Sequence, residues 1–175
     1  YPIIPFYTAD SNVLPCSSEQ FDIIICHYFL LWLPDVKQTL SEVFRTLKSG
    51  GSFLVFAEPD HAARIDAPET LVKLGKLQSV SLHNQGANIQ MGRILAAHLV
   101  KSGLSLTKYG ILGQEQVPSG LPSWWHSEWE VLEEDLKSLV SEEDLNFFKQ
   151  VDEEAWRSGS RVLWIPTFYA SCKKP

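Results

Sequence analysis

The sequence contains ten glycines, but no two of them are separated by a single residue. It therefore holds no G-x-G turn, the device that lets backbone close on a nucleotide-like ligand at the end of a first strand. Cysteine is scarce as well. Cys16, Cys26 and Cys172 are an odd count without metal-ligand spacing, which excludes a disulfide framework and points to reduced thiols in a cytoplasmic protein. The most apolar run, Ile23 to Leu33, is interrupted by His27 and reaches about half the length of a membrane helix. No secretory signal is visible, and no membrane association is expected. Positive charge is short too: 15 Lys and Arg stand against 21 Asp and Glu, a formal net charge of -6. A nucleic-acid partner is not expected, because phosphate binding needs a clustered positive surface.

The acidity is local. Residues 127–154 hold eleven acids against two lysines, so this stretch carries -9 and the remainder +3. It reads as a solvated helical face, or alternatively as a lid that repels anions. The length and a 45% hydrophobic content suit one domain with a real core.

The apolar pattern is that of an α/β chain. Ile3 to Thr8 reads as a short strand ending at Ala9-Asp10, and Phe21 to Tyr28, with Ile23-Ile24-Ile25, reads as a strand buried on both faces. Val36, Leu40, Val43, Phe44 and Leu47 share one helical face, with Asp35 as N-cap and Gly50 as the stop. Ser52 to Glu58 returns as a second buried strand, completing a right-handed βαβ unit. Further helices are expected from Asp66 to about His83, from Ile89 to Ser102, and from Ser127 and Ser141; further strands are expected over Leu104–Ile111 and Arg161–Ala170.

Three ordered segments resemble the class I S-adenosylmethionine-dependent methyltransferases. They are Ala9-Asp10 with Leu14-Pro15; Phe21-Asp22-Ile23-Ile24-Ile25-Cys26-His27 continuing through Leu30-Leu31-Trp32-Leu33-Pro34-Asp35; and Arg45-Thr46-Leu47-Lys48-Ser49-Gly50-Gly51. The family usually has Pro where this chain has Ser49. The resemblance is strongest over residues 3–60. It implies a Rossmann-like, doubly wound, mostly parallel sheet with an antiparallel final strand, in the order 3-2-1-4-5-7-6. It also implies S-adenosylmethionine as cofactor, with Asp10 accepting from the adenine amine, Ser11 beside it, and Cys26 and His27 at the methionine end. His27 has two readings, a proton acceptor touching substrate or a histidine satisfied by its neighbours. Glu58 and Asp60 follow a strand end and either face the substrate or are loop acids.

The family's glycine-rich turn and the acid that binds the ribose hydroxyls have no counterpart here. Residues 1–175 are therefore expected to be a partial domain with its N-terminal strands missing. Without strands 1 and 2 the strand at Ile3–Thr8 would have no neighbour, a gap of roughly 14 Å would open, and Ile23-Ile24-Ile25 would become a bare edge. Such a chain is expected to be unstable or rearranged and to bind the cofactor weakly.

Residues 118–160 are expected to form a helical insert serving as a lid or substrate region. Pro122-Ser123-Trp124-Trp125-His126-Ser127-Glu128-Trp129 holds three of the six tryptophans. Trp124 and Trp125 are expected to wall an acceptor pocket, and Trp129 to pin the insert to the core. The function expected is methyl transfer to a small molecule. It has no covalent step and so needs no nucleophile motif. A degenerate scaffold or regulatory domain is the alternative. A nicotinamide-dependent oxidoreductase suits the Ala9-Asp10…Leu14-Pro15 pattern less well. No metal site is expected, since histidines and carboxylates do not cluster.

Overall fold

The structure, a computed structural model, describes residues 5–113 and 120–175. Strand β1, Phe21–Cys26, leads through a 3₁₀ turn at Leu30–Trp32 into helix α1, Val36–Thr46. Asp35 caps α1, its carboxylate accepting from the Gln38 amide at 3.0 Å. The helix stops at Thr46, four residues short of Gly50, because the chain turns straight into the long strand β2, Leu47–Pro59. β1 and β2 pair in parallel, as a βαβ crossover requires.

A short strand β3, Ile65–Ala67, precedes helix α2, Glu69–Asn84. The helix therefore starts later than the Asp66 signal suggests. Pro68 disfavours helical backbone at Ala67, and residues 65–67 are drawn into a strand pair instead. Helix α3, Met91–Lys101, strand β4, Ser105–Ile111, and helices α4, Trp125–Leu136, and α5, Glu142–Ser158, follow. The Ser141 hydroxyl caps α5 by accepting from the Asp144 amide at 3.1 Å, and Gly159 ends it in the left-handed conformation, φ 73°. The strand expected over Arg161–Ala170 is two strands, β5, Val162–Trp164, and β6, Thr167–Lys173. Pro166 between them has no amide to donate to a ladder.

The main sheet has the order β1-β2-β6-β4, with β6 antiparallel to both neighbours; β3 and β5 form a separate pair. That order equals 4-5-7-6 of the expected seven-stranded sheet. Helices α1 and α3 cover one face, where Leu40, Val43, Phe53, Val55, Leu95, Leu99, Ala170 and Cys172 form the larger core. No helix covers the opposite face among the described residues. Ile23 and Ile25, on that face of the edge strand, are 57% and 55% exposed, so β1 is buried on one face and not on two. The strand expected at Ile3–Thr8 begins outside the described residues. Its described part, residues 5–8, is not a strand, and Phe6 and Tyr7 are 92% and 84% exposed.

A second core joins α2, α4 and α5 around Leu71, Leu74, Trp125, Trp129, Leu136, Phe148 and Trp156. The start of the expected insert, 118–119, lies outside the described residues; from residue 120 on, its two helices pack on α2. Apart from Asp152, which is buried, the acids of α4 and α5 are exposed or half-buried, as the solvated-face reading requires.

Candidate functional site

Parallel strands of an open sheet present ligand sites at their carboxyl ends. Here β1 ends at Cys26 and β2 at Pro59, so the loops leaving both strands share one edge. His27 is exposed and its ring meets Tyr28 edge-on at 4.7 Å between centroids. Tyr28 adopts φ 48°, a left-handed conformation that costs a non-glycine residue on the order of 1–2 kcal/mol. The Tyr28 amide donates to the Ala57 carbonyl at 2.9 Å, fixing the bend against β2. Cys26 is half-buried; burial pushes its thiol pKa well above the usual value, and the Glu58 carboxylate pushes it further, so it is an inert thiol.

The loop that carries Asp10 and Ser11 is held by helix α1. Helix α1 starts at the carboxyl end of β1, and its first turn holds the loop: the Thr39 hydroxyl lies 3.0 Å from the Ser11 hydroxyl, and the Gln38 side-chain amide donates to the Asn12 carbonyl at 3.2 Å. Asp10 is exposed. One carboxylate oxygen accepts from the Asn12 amide at 2.8 Å, a local turn, and nothing else in the described chain binds the carboxylate. Downstream, Arg45 ties the same segment to α1 through the Leu14 and Cys16 carbonyls and through Glu42.

Three expectations are corrected. Glu58 does not face a substrate. It is 0% exposed, and its carboxylate accepts from the backbone amides of Phe29, Leu30 and Leu31 at 3.1, 2.9 and 3.0 Å. It caps the 3₁₀ turn from a neighbouring strand, because Phe29 at the cap position has no side-chain oxygen to do so. Burial raises its pKa, and the three amides oppose that rise. Asp60, likewise 1% exposed, caps its own turn through the Ala63 amide at 3.1 Å and pairs with Arg93 through both oxygens.

Trp125 does not wall a pocket. It is 2% exposed, and its indole N–H donates to Asp152 at 2.7 Å; the Trp129 N–H donates to the same oxygen at 2.9 Å. Asp152 also accepts from Arg161 at 2.6 Å, and Arg161 pairs with Asp66 at 2.9 Å, which Arg64 holds at 2.5 Å from the other side. These charges are buried and mutually satisfied, so the tryptophans pin α4 to α5. Of Trp124, Trp125 and Trp129, Trp124 alone keeps an open ring, 44% exposed and edge-on to Trp156 at 5.5 Å. Sequence reasoning missed this network; Arg161 nine residues after Asp152, across a helix end, carries no recognisable signal.

A Tyr-x-x-x-Lys spacing does occur, at Tyr169 and Lys173. Both lie on strand β6, about 14 Å apart along it, and not on one helical turn, so they form no oxidoreductase pair. Among the described residues no group of three or more His, Cys, Asp or Glu could hold a metal ion, and no helix is long and apolar enough to cross a membrane.

The strand order and its antiparallel third member define a Rossmann-like methyltransferase fold. A candidate methyltransferase from Bacillus halodurans C-125 superposes with a TM-score of 0.58 at 16% identity, over 98% of this chain and 78% of that one. Geranyl diphosphate C-methyltransferase from Streptomyces coelicolor A3(2), in complex with Mg2+, geranyl diphosphate and S-adenosyl-L-homocysteine, gives 0.51 at 15% identity, over 97% of this chain and 52% of that one. Residues 2–55 match the family profile for a methyltransferase domain. Over 53 residues the chain is 40% identical to the ubiquinone/menaquinone biosynthesis C-methyltransferase UbiE of Bartonella bacilliformis, a stretch that is 30% of this chain and 20% of that protein. The N-terminal third of the chain is thus similar to methyltransferase domains, and its fold is that of Rossmann-like methyltransferases. The chain spans about a fifth of that curated relative.

Proposed function

We propose that this chain forms the acceptor-side part of an enzyme transferring a methyl group from S-adenosylmethionine to a small molecule. The observation that supports the reading is that the first turn of α1, which starts on the side where β1 ends at Cys26, holds the Ser11-Asn12 loop through Thr39 and Gln38. The residues present fit part of the cofactor. Asp10 keeps a carboxylate oxygen free for an amine donor, and the Cys26-His27 backbone would border the methionine end. The bound cofactor supplies the electrophilic methyl group; the protein's contribution is to orient the acceptor and exclude water.

Tyr28, Phe29 and Trp32 are exposed at 47%, 36% and 43% on the loop leaving β1, which favours an apolar or aromatic acceptor. His27 beside them would take a proton from it. Trp124 is the remaining candidate for a wall of that pocket. A ribose grip, normally a glycine-rich turn and an acid, is not encoded in these 175 residues. In the order 3-2-1-4-5-7-6 that grip belongs to strand 1, along the free edge of β1. The same absence favours a second reading, a scaffold that no longer transfers methyl groups.

Calorimetric titration of S-adenosylmethionine into this chain tests the proposal of a divided site. No binding at micromolar concentration is expected, and micromolar binding would overturn it. Methyl transfer by the gene product containing these residues, and its loss in Asp10→Ala, would separate the enzyme from the scaffold.

A further inference from the structure

We infer that Glu58 is a positioning residue for the methyl-donor edge, acting through the loop that it clamps; this rests on the methyltransferase reading above. Its carboxylate arrives from the end of β2 and collects three consecutive amides, Phe29, Leu30 and Leu31, within 2.9–3.1 Å. The residue before it, Ala57, takes the Tyr28 amide at 2.9 Å. Four successive N–H groups of the loop leaving β1 are thus bound by two successive residues of β2. The far side of the loop is tied as well, since the Leu31 carbonyl accepts from the Asn88 amide at 2.7 Å.

This arrangement explains how Tyr28 is kept at φ 48° without glycine, a strained conformation that persists only when its surroundings over-determine it. The bend at Tyr28 sets where the Cys26-His27 backbone and the His27 ring stand. An acid is needed because only a carboxylate offers two acceptor oxygens and no donor to three converging amides. Gln at this position would turn an N–H toward one of them. Gly92 of α3 lets the Glu58 backbone sit close: a Cβ there would lie 2.8 Å from the Glu58 carbonyl oxygen and 2.4 Å from the Phe168 ring.

The test uses amide exchange and backbone NMR on the 175-residue chain as wild type and Glu58→Gln, with Glu58→Asp as the conservative variant. In Glu58→Gln, protection of the Phe29, Leu30 and Leu31 amides is expected to fall at least about tenfold while α3 is unchanged. Added S-adenosylmethionine at millimolar concentration is expected to shift the Cys26–Tyr28 amides in wild type, less in Glu58→Asp, and not in Glu58→Gln. A folded Glu58→Gln that responds as wild type does would overturn the inference. If Glu58→Gln does not fold, wild type and Glu58→Asp decide: wild-type amides at 29–31 exchanging without protection, or a full response in Glu58→Asp despite lost protection, also overturn it. No response in wild type, with the three amides protected, would count against cofactor use and against the positioning role while leaving the clamp itself established.

Discussion

Replacing Arg161 by Met is expected to destabilise the second core strongly. The Arg161 side chain is 2% exposed and holds Asp152 at 2.6 Å, Asp66 at 2.9 Å and the Ala67 carbonyl at 3.2 Å, besides the Val162 carbonyl. Met fills similar volume without the charge. Asp152 would keep two indole donors and Asp66 would keep Arg64, so both stay hydrogen-bonded, but a buried network of two cations and two anions would be left one cation short. Removing one member of such a buried arrangement costs about 3–5 kcal/mol. At about 2–4 °C per kcal/mol for a chain of this size, the melting temperature should fall by roughly 6–20 °C. Thermal melts followed by tryptophan fluorescence would read it, since Trp125 and Trp129 bond to the same carboxylate. The double variant Arg161→Met with Asp152→Asn should be less destabilised than the sum of the single changes, because the stranded charge is removed. A loss under 2 °C in Arg161→Met, or strict additivity in the double variant, would refute the reasoning.

Other outcomes follow from the same geometry. The His61 imidazole, with its Nδ1 buried and unpartnered, has its pKa lowered to about 4 by burial and then by Arg64. The folded chain holds it neutral while the unfolded chain protonates it near pH 6.5. Its contribution to stability is therefore intact above pH 6.5 and is lost as pH falls toward 4, by at most about 3 kcal/mol. In denaturant titrations the stability of wild type relative to His61→Gln should fall by up to about 3 kcal/mol between pH 6.5 and 4; a difference that does not change with pH would contradict this. Trp125→Ala should cost about 3–5 kcal/mol, whereas Trp124→Ala should cost about 1 kcal/mol, and under the proposed methyl transfer it should raise the acceptor KM. Equal stability losses would show that Trp124 is also structural.

The N-terminal βαβ unit was legible because its signals are local. The Ile23-Ile24-Ile25 run, the Val36–Leu47 periodicity and the Asp35 cap each depend on residues near in sequence. Boundaries failed where a non-local partner competed. Asp66 looks like a helix start, yet β5 pairs with residues 65–67; Arg161–Ala170 looks like one strand, yet Pro166 divides it. At the site, Asp10, Ser11, Cys26 and His27 are nominated by the family resemblance; of these, Cys26 ends strand β1 and His27 follows it, whereas no strand precedes Asp10 among the described residues. Glu58 and Trp125 could not be read correctly, because an acid after a strand and an indole after a proline do not reveal whether they meet water, three amides or a buried Asp152.

The most direct measurement is photolabelling of this chain with methyl-tritiated S-adenosylmethionine at millimolar concentration, with the label mapped by peptide mass spectrometry. Label confined to Asp10–Asn12 and Cys26–Tyr28, and competed by S-adenosylhomocysteine, is the predicted result. Label absent from both segments, or concentrated in residues 120–165, would contradict a shared methyl-donor edge.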